Sequence, residues 1–167
     1  PIVRQEVGMS LAKDGGIYEE LGVRRVINAV GNATVLGGSR LGPKIQTAME
    51  QADEYFVEME ELLEKSGEAV ADLLGCEAAL ITSGCYAAQV LGSAGIMSGS
   101  DAEKIRRLPD ATGMKNEFLV QAPTRWGYDR CVSVAGGTLV EVGDRNGVTP
   151  EQMEAAIGPN TAGILYL

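Results

Sequence analysis

The chain has 167 residues, enough for one domain with a sizeable core and too few for two full ones. Its 23 acidic residues outnumber 14 basic ones, a formal net charge of -9, which argues against a phosphate-neutralising nucleic-acid face. There is no histidine, so neither a Ser-His-Asp or Cys-His relay nor a His-containing zinc site can be built within the chain, and no metal centre is expected.

Residues 1–24 read as a polar, irregular arm in which Gly15-Gly16 interrupts any long helix, and residues 25–167 as the α/β domain proper. Arg25 to Val30 is a β-branched run that predicts a strand. Gly31 to Gly42 is glycine-rich and predicts a loop, and Pro43 suits the first turn of a helix running to Tyr55. Met59, Leu62, Leu63, Val70, Leu73 and Leu74 recur at helical spacing, with Gly75 placed as a C-cap. Ala78 to Ile81 predicts a short buried strand. Thr82-Ser83-Gly84 then turns the chain into a small-residue helix, Cys85 to about Met97.

Ser100-Asp101 opens a short helix that Pro109 stops. Phe118 to Gln121 predicts a strand, Tyr128 to Val134 a helix, and Thr138 to Val142 a strand. Thr149 and Gln152 have capping-box spacing at the start of a helix that ends at Gly158. Ile164 to Leu167 predicts a last strand. This alternation is the signature of an α/β domain with a largely parallel sheet. A buried parallel strand wants a covering crossover helix, so the chain is expected to be the N-terminal part of a longer protein.

Cys76, Cys85 and Cys131 form no CxxC, and their odd count without a signal-peptide pattern points to a reducing cytoplasm. No apolar run approaches a membrane span. Gly37 to Lys44 fails as a P-loop, because Pro43 stands between the last glycine and the lysine. No GxGxxG is present, so a dinucleotide-binding module lacks its main warrant.

Ile81 to Ala88 is more informative, since a strand–turn–helix corner presents free N–H groups and the positive end of a helix dipole to an anion. Thr82 and Ser83 add hydroxyls, and Gly84 lets backbone approach a phosphate. The ordinary alternative is an N-cap on a packed helix. Cys85 lies in the same first turn, where a thiol is either a nucleophile or a packing residue; without histidine as a base, packing is favoured. Arg125-Trp126 follows a strand's carboxyl end, where α/β sheets bind ligands. Trp126 is suited to stack on a planar group and Arg125 to hold an anionic one, against the alternative of a surface turn.

Arg25 to Gly31, Ala33 to Gly37, Leu73 to Ala79, Ile81 to Ala88 and Leu139 to Gly143 together resemble the selenocysteine synthase-like group of pyridoxal-phosphate enzymes. That group spans L-seryl-tRNA(Sec) selenium transferases and enzymes of the D-glucosaminate-6-phosphate ammonia-lyase type. Glu154 to Ile157 and Thr161-Ala162 extend the match, which covers residues from about 18 to the end. The resemblance implies the aspartate-aminotransferase-like large domain, PLP fold type I, of which this is the N-terminal half. It implies pyridoxal 5'-phosphate as cofactor, with Thr82, Ser83, Gly84 and Cys85 at its phosphate and Arg125 and Trp126 beside its ring.

Where the family often carries a histidine this chain has Thr124, which leaves Trp126 or Arg125 to stack on the ring. None of Lys13, Lys44, Lys65, Lys104 and Lys115 matches the family's Schiff-base lysine, which is expected beyond Leu167. The implied enzyme is a lyase or transferase acting by α-proton abstraction and β-elimination or replacement on a small amino-acid-like substrate, assembled as a homo-oligomer, with this fragment inactive alone. The short arm and acidic charge favour the ammonia-lyase side over tRNA binding. The alternative is a non-catalytic α/β module for a phosphorylated ligand or a partner chain.

Overall fold

The computed structural model describes residues 16–166, so Lys13, most of the predicted arm and the final residue of the last predicted strand lie outside the described residues. The chain separates into two compact units, Pro1–Phe56 and Val57–Leu167. In the first, α1 (Gly16–Glu20) is followed by a stretch without regular structure, a 3-10 turn at Thr34–Leu36 and α2 (Pro43–Ala52). Pro43 opens α2 as expected, its missing N–H costing nothing at that position.

The strand expected over Arg25 to Val30 does not form, and Ile27 stands 97% exposed. β-branched residues become a strand only when a neighbouring strand takes their N–H and C=O groups, and none does here among the described residues. Ala78 to Ile81 likewise forms no strand.

The second unit begins with α3 (Met59–Leu74), which matches the predicted span and ends at Gly75 in the left-handed region, φ 66°. It is followed by α4 (Cys85–Ser98) and α5 (Ala102–Arg107). The Asp101 carboxylate caps α5 by accepting from the amides of Glu103 and Lys104. The rest alternates as β1 (Glu117–Gln121), α6 (Cys131–Val134), β2 (Thr138–Val142), α7 (Pro150–Ala156) and β3 (Thr161–Leu165). α6 is shorter than the helix predicted from Tyr128, because residues 127–130 are spent in turns.

All strands pair in parallel in the order β2-β1-β3, so the expected α/β architecture with a parallel sheet is present. β1 is central, and Phe118, Leu119 and Val120 are buried, as a strand covered on both faces requires. Met97, Met114, Phe118, Cys131, Val132 and Ala135 form the core, with Val90 and Ala94 of α4 packed against it.

The Phe118 ring lies over glycine on both sides: a Cβ on Gly137 would sit 3.1 Å from it and one on Gly163 3.4 Å. The Gly137 Cβ would also meet Val132 Cγ1 at 2.6 Å, so only glycine lets β2 start this close to α6. Thr149 and Gln152 form the predicted capping box on α7. No helix among the described residues is long and apolar enough to cross a membrane.

Candidate functional site

Two segments singled out by sequence meet beside the carboxyl end of β1. α4 starts at Cys85 with no side-chain cap, and Ser83, Gly84 and Cys85 are exposed. Gly84 adopts φ 150°, ψ 171°, a conformation that side chains rarely take, and no atom lies within 4 Å of where its Cβ would be. The first helical bond runs from the Ala88 amide to the Gly84 carbonyl at 3.0 Å. The amides of Cys85, Tyr86 and Ala87 therefore have no partner among the described residues, as the start of any helix dictates unless something caps it.

Thr82 shapes this turn more than it decorates it. Its hydroxyl donates to the Gly84 carbonyl at 3.0 Å and accepts from the Gly84 amide at 3.4 Å. Cys85 is exposed, so its role as a packing residue, the favoured sequence reading, does not hold in this structure.

The second segment leaves β1 through a 3-10 turn, Ala122–Thr124, closed by the Thr124 hydroxyl donating to the Gln121 carbonyl at 3.1 Å. Trp126 is 63% exposed, and its ring meets Tyr128 edge-to-face at 5.2 Å between centroids. Tyr128 in turn meets Tyr86 edge-to-face at 6.4 Å. Tyr86 is the second residue of α4, so this row of rings joins the loop after β1 to the start of the helix.

Arg125 departs from the sequence reading. Its Nε donates to the Asp129 carboxylate and its Nη1 to Glu141. Two anions thus occupy the cation that was expected to hold one on a ligand. The Asp129 side chain is only 2% exposed, and its hydrogen bond is the chief reason the Arg125 guanidinium is pushed above its ordinary range. Glu141 lies next to the carboxyl end of β2, paired in register with Val120. Cys131, fully buried at the start of α6, has its thiol pushed up by that burial.

Sequence reasoning missed Tyr86, Tyr128, Asp129 and Glu141. The Arg125–Asp129 spacing of four and the single charge inside the apolar run TLVEV were the available signals. Lys44 is on α2 of the first unit; within the second, Lys65 is on α3, Lys104 on α5, and Lys115 two residues before β1, towards the opposite rim of the sheet. A hollow of about 510 Å³ also lies at that opposite rim, lined by Ala111, Thr112, Met114, Asn116 and Asn160. It has neither an uncapped helix start nor an aromatic wall.

The chain is similar to D-glucosaminate-6-phosphate ammonia lyase. The Salmonella typhimurium (strain 14028s / SGSC 2262) enzyme is 37% identical over 155 residues, covering 90% of this chain and 42% of that protein. A 5'-C-glycyluridine monooxygenase-decarboxylase from a Streptomyces species is 31% identical over 155 residues, 90% of this chain and 39% of that one. A solved structure of D-glucosaminate-6-phosphate ammonia-lyase superposes with a TM-score of 0.87 at 35% identity, over 92% of this chain and 43% of that one. The chain thus spans less than half the length of the relatives it matches. No family model matches it.

Proposed function

We propose that this chain supplies the phosphate-holding side of a pyridoxal 5'-phosphate site in a lyase or transferase of aminotransferase-like fold type I, related to the selenocysteine synthase group. The observation that carries this reading is the uncapped, exposed start of α4 beside an aromatic row at the carboxyl end of β1. Similarity to an ammonia lyase supports the lyase side of it.

The residues present fit the phosphate. The amides of Cys85, Tyr86 and Ala87 are free to donate to a doubly charged group, which the helix dipole would favour there. Gly84 leaves open space for oxygen to approach its backbone, and the exposed Ser83 hydroxyl is a further donor. Trp126, Tyr128 and Tyr86 form an apolar flank that orients a planar ring and keeps water from one side of it. Arg125 does not fit as an anion ligand, because both its neighbours are carboxylates.

When bound, the cofactor supplies the electron sink that α-proton abstraction and β-elimination or replacement on an amino-acid-like substrate require. The reading includes a small-molecule substrate, homo-oligomeric assembly and a reducing, cytoplasmic setting.

Titration with pyridoxal 5'-phosphate, read by quenching of the sole tryptophan, tests it. Saturable quenching is expected, with competition by inorganic phosphate. Gly84→Val should weaken it by about fivefold to a hundredfold, because a β-branched residue at that φ is strained by roughly 1–3 kcal/mol. Unchanged affinity in Gly84→Val would remove the site assignment. Binding of inorganic phosphate without preference for the pyridoxal ester would favour the non-catalytic module.

A further inference from the structure

We infer that Arg125 is a positioning residue, a two-carboxylate clamp that fixes the loop bearing Trp126 and Tyr128 against β2 and so sets the aromatic wall of the site. The inference rests on the proposed reading of that corner, but its geometry stands by itself. One arm of the clamp is local: Arg125 reaches Asp129 within the loop, and the Asp129 amide donates back to the Trp126 carbonyl at 3.0 Å. The other arm is long-range: Arg125 crosses to Glu141 of β2, sixteen residues on.

Trp126 and Tyr128 lie between the residues so tied, and both are more than half exposed. Little packing holds the rings, so the ion pairs must supply their order. The planar fork of arginine reaches two carboxylates at once, which the single ammonium of lysine does not match. The two arms differ in screening: Asp129 is buried, whereas Glu141 is 54% exposed and open to salt.

The test needs no ligand, because Trp126 is the only tryptophan and reports on its own loop. In the full chain, Glu141→Gln removes the long-range arm at an exposed position without burying a charge. Acrylamide quenching of Trp126 should rise by up to about half, the room left by a side chain already 63% exposed, and the near-UV circular dichroism of the Trp126–Tyr128 pair should fall. Far-UV circular dichroism and the urea midpoint should stay at wild-type values.

In the unaltered protein, raising salt from about 10 mM to about 1 M should move the same two signals in the same direction, because the screening length contracts about tenfold. Trp126 signals unmoved by both Glu141→Gln and salt would overturn the clamp. So would tighter inorganic phosphate binding in Glu141→Gln, which would show Arg125 to be a masked anion ligand. Failure of pyridoxal 5'-phosphate to bind leaves these readouts intact and counts only against the proposed function.

Discussion

Placing a methyl group on Gly137 tests the packing that fixes β2 against α6. The new Cβ would lie 2.6 Å from Val132 Cγ1 and 3.1 Å from two atoms of the Phe118 ring. Carbon atoms in contact prefer about 3.5–4.0 Å, so the overlap with Val132 is close to 1 Å. Val132 is fully buried and Phe118 nearly so, which leaves neither a free direction to retreat.

Overpacking of this kind costs about 1–3 kcal/mol. Loss of glycine's freedom in the unfolded chain returns about 0.4–1 kcal/mol. The difference runs from near zero to about 2.6 kcal/mol, and a 2.6 Å approach to a fully buried side chain places Gly137→Ala in its upper part, at about 1–2 kcal/mol, lowering the urea midpoint by about 0.5–1 M for a slope near 2 kcal/mol/M. Val132→Ala removes the offending methyl, so the double variant should lose at least about 1 kcal/mol less than the two single losses added. Wild-type stability in Gly137→Ala, or strict additivity in the double variant, would refute the reasoning.

Two further outcomes follow from features of the same unit. Thr149→Ala removes the hydroxyl that accepts from the Gln152 amide, and should cost about 0.5–2 kcal/mol by urea unfolding; an unchanged midpoint would show the capping box to be idle. Thiol titration of the native protein should find Cys76 and Cys85 reacting quickly and Cys131 only on unfolding, because burial both shields that thiol and keeps it protonated; three equally fast thiols would contradict the core described.

What was legible in the sequence was local. Asp101 before α5, Thr149 and Gln152 at α7, and Gly75 after α3 each act within a few residues, and each stands where its chemistry predicts. Arg25 to Val30 and Ala78 to Ile81 have strand composition but no strand, because a parallel strand is defined by neighbours that composition does not name. The helix start at Cys85 was legible for the same local reason as the caps. The row Trp126–Tyr128–Tyr86 and the reach of Arg125 to Glu141 were not, since each joins residues from separate elements. Arg125 in particular reads as a free cation in sequence; Asp129 pairs with it inside the loop, and Glu141 adds a second carboxylate only when β2 arrives beside that loop.

That neutralisation bears on selectivity. With Arg125 matched against two carboxylates, the group of three carries a net negative charge, so the anion proposed for the head of α4 would meet directional N–H dipoles rather than a loose cation. A cradle of the kind proposed would rank anions by how many acceptor atoms they can aim along fixed lines, favouring tetrahedral oxyanions over halides at equal concentration.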